Sequence, residues 1–166
     1  AKTKLDSMSD SEKKELNKFL SNFSEASYTG TKGGKEADAE KISFAFTHTR
    51  VNNSDTVVYN DLQKGISADV TDEILERFFG ESVPHETPDG SIWIYDDGYF
   101  MTQATGDESC AYFSAATEVK DNNDGTYSVD FNIYHNYKNP NKKIDDPAGD
   151  LEKALVTEIE KFLLEL

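Results

Sequence analysis

The chain has 166 residues, 32 acidic against 17 basic, a formal net charge of −15 and a single cysteine, Cys110. A chain this long buries roughly 70% of its unfolded surface, enough for a core without disulfides or a structural metal, and one thiol makes neither an internal bridge nor a Cys-rich zinc site. The negative excess repels phosphate backbones and anionic headgroups, which makes nucleic acid and membrane surfaces poor partners, and no apolar run approaches the roughly 18 residues of a transmembrane segment.

Taken in chain order, residues 1–8 read as a flexible tail ahead of one domain covering 1–166. Ser9-Asp10-Ser11-Glu12 has capping-box spacing, and Leu16, Phe19, Leu20 and Phe23 follow at i, i+3, i+4, i+7, so an amphipathic helix is expected over about residues 10–26. A Gly-rich break at 29–34 leads to a second helix over about 37–50, with Ala39, Ile42, Ala45, Phe46 and Thr49 on one face. Val57-Val58-Tyr59 and Gln63 to Ile66 suit a short hairpin. Ser67 is placed to cap a third helix carrying Val70, Ile74, Leu75, Phe78 and Phe79, and Gly80 stands where a left-handed terminal residue belongs.

After Gly80 the period changes from about 3.6 to 2. One hairpin joins Ile92–Tyr95 to Tyr99–Gln103 through Asp96-Asp97-Gly98. A second joins Ala111–Lys120 to a long strand in which Tyr127, Val129, Phe131, Ile133, His135 and Tyr137 share a face, the turn being Asp121-Asn122-Asn123-Asp124-Gly125. Helices gathered first and strands afterwards argue for an α+β fold with an antiparallel sheet. At the C-terminus Leu151, Leu155, Ile159, Phe162, Leu163 and Leu166 suit a helix, while Leu155, Thr157, Ile159 and then Phe162, Leu164, Leu166 suit two short strands; periodicity alone favours the helix.

Four stretches, SDSEKKELNKFLSNFSEA at 9–26, ISADVTDEILERFFG at 66–80, DDGYF at 96–100 and DNNDGTYSVDFNIY at 121–134, together resemble a domain of unknown function in secreted or lipid-anchored proteins of Gram-positive anaerobes, the clostridia and their relatives. The resemblance implies an export signal and a polar linker ahead of residue 1, placement outside the bacterial membrane, and a terminal hairpin over 151–166. The order of elements also resembles the cystatin-like or nuclear-transport-factor-2-like cone, in which about three helices pack on a curved antiparallel sheet that leaves a pocket. Such a cone hosts binding proteins and isomerases alike, so the resemblance implies no chemistry.

The residues themselves carry little catalytic signal. His48, His85 and His135 lack ligand spacing, and Pro88 denies the helix that would put two histidines on one face after His85-Glu86. The Asp121–Gly125 run fails as a calcium loop: with Gly125 sixth, the first ligand is Lys120 and the twelfth residue Phe131. Cys110 follows Asp107-Glu108-Ser109, the wrong setting for a low-pKa thiol. There is no Walker loop, GxSxG or GxGxxG. No cofactor, metal or catalytic residue is therefore expected.

A ligand pocket, if present, is expected at the open end of the sheet, lined by His135 and Tyr137 with Trp93 or Tyr95. On the long strand four core-like residues give way to two with polar handles, as at a cavity mouth; the simpler account is a strand end reaching solvent. Trp93 and Tyr95 alternate with Ile92 and Ile94, so one pair faces the core and the other solvent. The expectation is a secreted or surface-anchored binding domain for a small ligand or an extracellular protein. The alternative is an isomerase or dehydratase using a cone pocket, which needs an acid–base carboxylate or imidazole beside Tyr donors.

Overall fold

The computed structural model describes residues 4–28, 30, 35–89, 92–104, 112–136 and 156–165; of 35, 36, 135, 136 and 156–165 it describes the backbone. The fold is α+β, with every strand pairing antiparallel. The chain divides into two compact units, Ala1–Glu25 with Ser109–Leu166, and Ala26–Glu108, and each holds one sheet.

In the first unit a one-turn helix α1 (Lys4–Ser7) precedes α2 (Asp10–Glu25). Residues 4–8, read above as tail, are held by packing: Leu5 and Met8 lie against the core and the Lys4 ammonium donates to the Tyr127 hydroxyl at 2.6 Å. That contact also raises the Lys4 pKa, because the phenolic oxygen favours the charged amine. The N-cap forms as the spacing requires: Ser9 Oγ accepts from the Glu12 N–H and donates to the Glu12 carboxylate, both at 3.1 Å.

Strands β5 (Tyr112–Asp121) and β6 (Tyr127–Asn136) pair from Asp121↔Tyr127 to Tyr112↔His135. The second unit holds the four earlier strands, β1 (Val58–Asn60), β2 (Gln63–Ser67), β3 (Ile94–Asp96) and β4 (Tyr99–Gln103). In the turn between β5 and β6, Asn123 and Gly125 take φ of 60° and 90°. The Thr126 hydroxyl and N–H both donate to Asp124, holding that carboxyl below its usual range. Val129 and Phe131 are buried with Val119 and Leu20, and Leu16, Phe19 and Ile133 flank them, so the predicted inward faces of α2 and β6 meet.

The open edge of β5 is closed by side chains instead of a strand. Ser114 N donates to Ser21 Oγ at 3.0 Å and Ala116 N to Asn17 Oδ1 at 2.8 Å. The two donors are two residues apart on a strand, about 6.7 Å, and the two acceptors four apart on a helix, about 6 Å, so the repeats match. An exposed edge, the usual template for edge-to-edge association, is thereby covered.

The other edge of the pair is covered by β7 (Val156–Glu165), antiparallel to β6 from Ser128↔Glu165 to Asn136↔Val156. This corrects both expectations for the C-terminus. The segment is one continuous strand, neither helix nor hairpin over its described length, because an unpaired β6 edge offers a ladder of backbone partners that outweighs a weak helical period.

In the second unit α3 (Lys35–Asn52) and a 3₁₀ turn (Ser54–Thr56) lead into a sheet of order β1-β2-β4-β3. Helix α4 (Ala68–Phe79) starts directly from β2: Ser67 Oγ accepts from Val70 N at 3.1 Å, and Gly80, at φ 77°, donates to Glu76 O. Asp97 and Gly98, at φ 47° and 83°, make the two-residue turn of the β3–β4 hairpin. Helix α3 is longer than predicted and buries Ile42, Phe44, Ala45, Phe46, His48 and Thr49, which lie on several faces. Its Phe44 packs edge-on against Phe78, Phe79 and Tyr28. Burial there pushes the Tyr28 phenol above its usual pKa, with the Glu40 carboxylate adding to the effect.

Gly65 is a steric requirement of this sheet. A Cβ at that position would run into the Phe100 carbonyl oxygen and Met101 Sδ on the neighbouring strand, so only a hydrogen fits where β2 crosses β4.

Two stability predictions follow from these contacts. Phe131→Ala should cost about 3–5 kcal/mol in urea unfolding, as buried Phe truncations do, and Asp130→Ala well under half of that; equal losses would contradict the register of β6. Gly65→Ala should cost about 3 kcal/mol through overpacking, and a melting temperature within a degree of the parent would show that β2 and β4 are not so closely apposed.

Candidate functional site

The inward face of the second sheet changes character along its length. Ile66 pairs with Phe100, both fully buried; two residues away Lys64 pairs with Thr102, both buried but polar at the tip. Core residues thus give way to residues with polar handles, the gradient expected above for β6, but on β2 and β4. Where the change occurs, a cleft of about 460 Å³ opens between this face and α3.

Helix α3 contributes Ser43, Phe46, Thr47 and Arg50 to the cleft. These stand at i, i+3, i+4 and i+7, one stripe along the helix. The sheet supplies Lys64, Thr102 and Gln103, and the segment entering β3 supplies Ile92 and Trp93. Two hydrogen bonds fix the wall: Trp93 Nε1 donates to Ser43 Oγ at 2.8 Å, and Thr102 Oγ1 to the Ile92 carbonyl at 3.0 Å. The Trp93 and Phe46 rings lie 5.4 Å apart.

Lys64 is a charged residue on a buried face. It is 8% exposed in a chain that keeps most charges in water, and burying an ammonium costs several kcal/mol unless the surroundings compensate. The Phe46 ring supplies part of that compensation, with Lys64 Nζ 5.2 Å from its centroid. Arg50, in the last turn of α3, brings a second cation to the same cleft. Among the described residues, the nine that line the cleft carry two formal positive charges and no carboxylate.

Of the sequence-predicted pocket residues, Trp93 is 2% exposed and lines this cleft. Tyr95 shares its face, as the alternation requires, with Ile92 and Ile94 exposed on the other. It is not among the residues lining the cleft; its ring stacks at 5.8 Å on His85 and lies 5.2 Å from Phe100, and the three rings form one cluster. His135 stands on β6 opposite Tyr112 and Thr157; its side chain, and Tyr137 altogether, lie outside the described residues, as does Cys110. Of the nine described lining residues only Trp93 was expected at a pocket; the others include the α3 stripe of Ser43, Phe46, Thr47 and Arg50, with Lys64, Ile92, Thr102 and Gln103. The helical spacing of Ser43, Thr47 and Arg50 around Phe46 was the available signal.

A second polar cluster joins α4 to the segment after it. Asp72 accepts from Ser82 Oγ on one carboxylate oxygen and sits 2.8 Å from His85 Nε2 on the other. The order of groups decides what it does. A nucleophilic triad needs the imidazole between serine and carboxylate, whereas here the carboxylate lies between, so the serine has no base and the cluster acts as a clasp. His48 is buried against Phe44 and Phe78, with Asn52 Nδ2 3.2 Å from Nδ1. Among the described residues no three His, Cys, Asp or Glu side chains stand close enough together to hold a metal ion, and no helix is long and apolar enough to cross a membrane.

Comparison with family models, with curated proteins and with solved structures finds no match to this chain.

If Asp72 is a clasp, Asp72→Ala should lower stability by about 1 kcal/mol, little because the pair is partly solvated. Amide hydrogen exchange should accelerate over residues 81–86 while the cleft walls stay protected. Unchanged exchange in that segment would show that the contact holds nothing in place.

Proposed function

We propose that the chain is a non-catalytic binding domain that takes a small ligand in the cleft between α3 and the inward face of β2 and β4. The observation that carries this reading is the cleft's wall: one stripe of α3, two polar-tipped strand residues and Trp93, fixed by side-chain hydrogen bonds around about 460 Å³ of space. That volume falls within the roughly 300–1,000 Å³ of small-molecule sites, and among its described residues the wall combines three apolar side chains, Phe46, Ile92 and Trp93, with six polar ones able to direct a ligand. The isomerase or dehydratase alternative is less well supported, since the nine described lining residues include no carboxylate or imidazole to move a proton and no tyrosine to donate to an oxyanion.

Work outside the bacterial cell, whether released or anchored, is part of the proposal. Its support is the resemblance of residues 9–26, 66–80, 96–100 and 121–134 to the secreted domain described above. The excess of acidic residues supports a ligand or protein partner over nucleic acid.

The test is a heteronuclear NMR titration of the full chain with neutral, anionic and cationic aromatic fragments. Perturbed amides should cluster at residues 43–50, 64, 92–93 and 102–103, together with the indole N–H of Trp93. Shifts confined to other surfaces, or none at millimolar fragment, would dismiss the cleft as the site.

A further inference from the structure

The outer face of the second sheet, turned away from the cleft, carries a groove of its own. The residues that alternate with the buried Lys64, Ile66, Phe100 and Thr102 share this face, and the register aligns Val58, Gly65, Met101 and Ile94 in one row across all four strands. Asn60 and Gln63 pair on one side of that row, and Asp96 and Tyr99 on the other. Gly65 contributes no side chain, and the Met101 thioether occupies the place its Cβ would take, so the centre of the face is low and apolar. A groove of about 270 Å³ opens among these residues, with Asp97 of the β3–β4 turn adding to its wall. It is smaller than the roughly 300–1,000 Å³ of sites that enclose their ligands. A molecule bound here lies on the sheet and keeps one side in water.

We propose that this groove binds a neutral oligosaccharide, a pyranose ring lying over Met101 with its C–H face against Tyr99 and its hydroxyls held by Asn60, Gln63, Asp96 and Asp97. A pyranose is amphipathic, with axial C–H bonds making an apolar face and equatorial hydroxyls a polar rim. The groove repeats that division: Val58 and Met101 lie in the apolar row, and amide and carboxylate groups flank it on both sides. An amide offers a donor and an acceptor in one plane and a carboxylate offers two acceptors, which suits hydroxyls on adjacent ring carbons. All four of these polar side chains are exposed, so a ligand reaches them without displacing the core. Tyr99 is 40% exposed, and a ring with a polar tip is the side chain that serves contacts with one apolar and one wet side. The net charge of −15 disfavours an acidic polysaccharide. The site is independent of the cleft, which opens on the other face of the sheet.

The experiment is a heteronuclear NMR titration of the full chain with cellotetraose, maltotetraose and chitotetraose in its N-acetylated form, and with tetragalacturonate as their acidic counterpart. At least one neutral probe should bind at millimolar concentration and move the amides of residues 58–60, 63, 96–97 and 99–101, while those of residues 43–50 on α3 stay still. Tyr99→Ala should weaken that binding about fivefold to tenfold, the size of an aromatic stacking contact, and Tyr99→Phe, which keeps the ring, should stay within about twofold of the parent. Asn60→Ala, at an exposed position of an edge strand, should also weaken binding severalfold and repeats the test if Tyr99→Ala fails to fold. Equal affinity of the parent and these alanine variants would overturn the proposal, as would tighter binding of tetragalacturonate than of every neutral probe. If no neutral probe shifts the groove amides, the site is dismissed, and the reading of the cleft, which rests on the amides of α3 and on Trp93, stands or falls by its own titration.

Discussion

An ammonium group on the inward face of a sheet decides where the core of the second unit ends. Ile66 and Phe100 let α3 close down on the sheet, because both sides are apolar and pack to full burial. Lys64 and Thr102, one pleat further along the same face, do not. A charged tip in that position must keep either polar company or access to solvent, since desolvation without compensation costs more than the packing returns. The observed arrangement does some of each: the Lys64 stem is buried, Phe46 covers the charge from one side, and the space beyond becomes the cleft. The packing of the sheet and the shape of the cleft are thus linked through one side chain, and Gly65 beside it lets β2 lie close against β4 where Lys64 stands.

The first unit solves a different problem with the same economy. A two-stranded hairpin is marginal by itself, and β5–β6 is stabilised on both edges. On one side β7 adds backbone pairing. On the other, Asn17 and Ser21 of α2 take up the N–H groups of Ala116 and Ser114, so the helix that covers the face also covers the edge. A Ser or Asn in a helix interior is unfavourable by propensity. Here those residues sit on the flank of the apolar stripe formed by Leu16, Phe19, Leu20 and Phe23, and the strand edge explains them.

Local signals were legible in the sequence wherever one residue type has one physical job. Ser9 and Ser67 cap, Gly80 and Gly98 take positive φ, and the alternation of β6 places Val129 and Phe131 inside. Signals that need a partner from elsewhere in the chain were not. The period of α3 is blurred because it is buried on several faces, so its polar stripe of Ser43, Thr47 and Arg50 did not stand out from its core residues. The division of the strands between two sheets depends on which edges meet, which no local pattern records. A gradient from core to polar residues was expected on β6, where the His135 side chain and Tyr137 lie outside the described residues; the shorter β2 shows one in only two residues, Ile66 and Lys64. Trp93 was placed correctly on its face by alternation; Tyr95, on that same face, was taken up by His85 instead.

The central claim is that a cationic cleft lies beside Trp93 in an otherwise acidic chain, and ionic quenching of Trp93 emission measures it most directly. Iodide and caesium are compared at equal ionic strength, each relative to free N-acetyltryptophanamide, for the parent protein and for Lys64→Met. In the parent, iodide is predicted to be the more effective quencher in spite of the net charge of −15, and its advantage should shrink in Lys64→Met. Caesium outperforming iodide in the parent would contradict the account, because it would mean that the field around Trp93 is that of the acidic surface and not of Lys64 and Arg50.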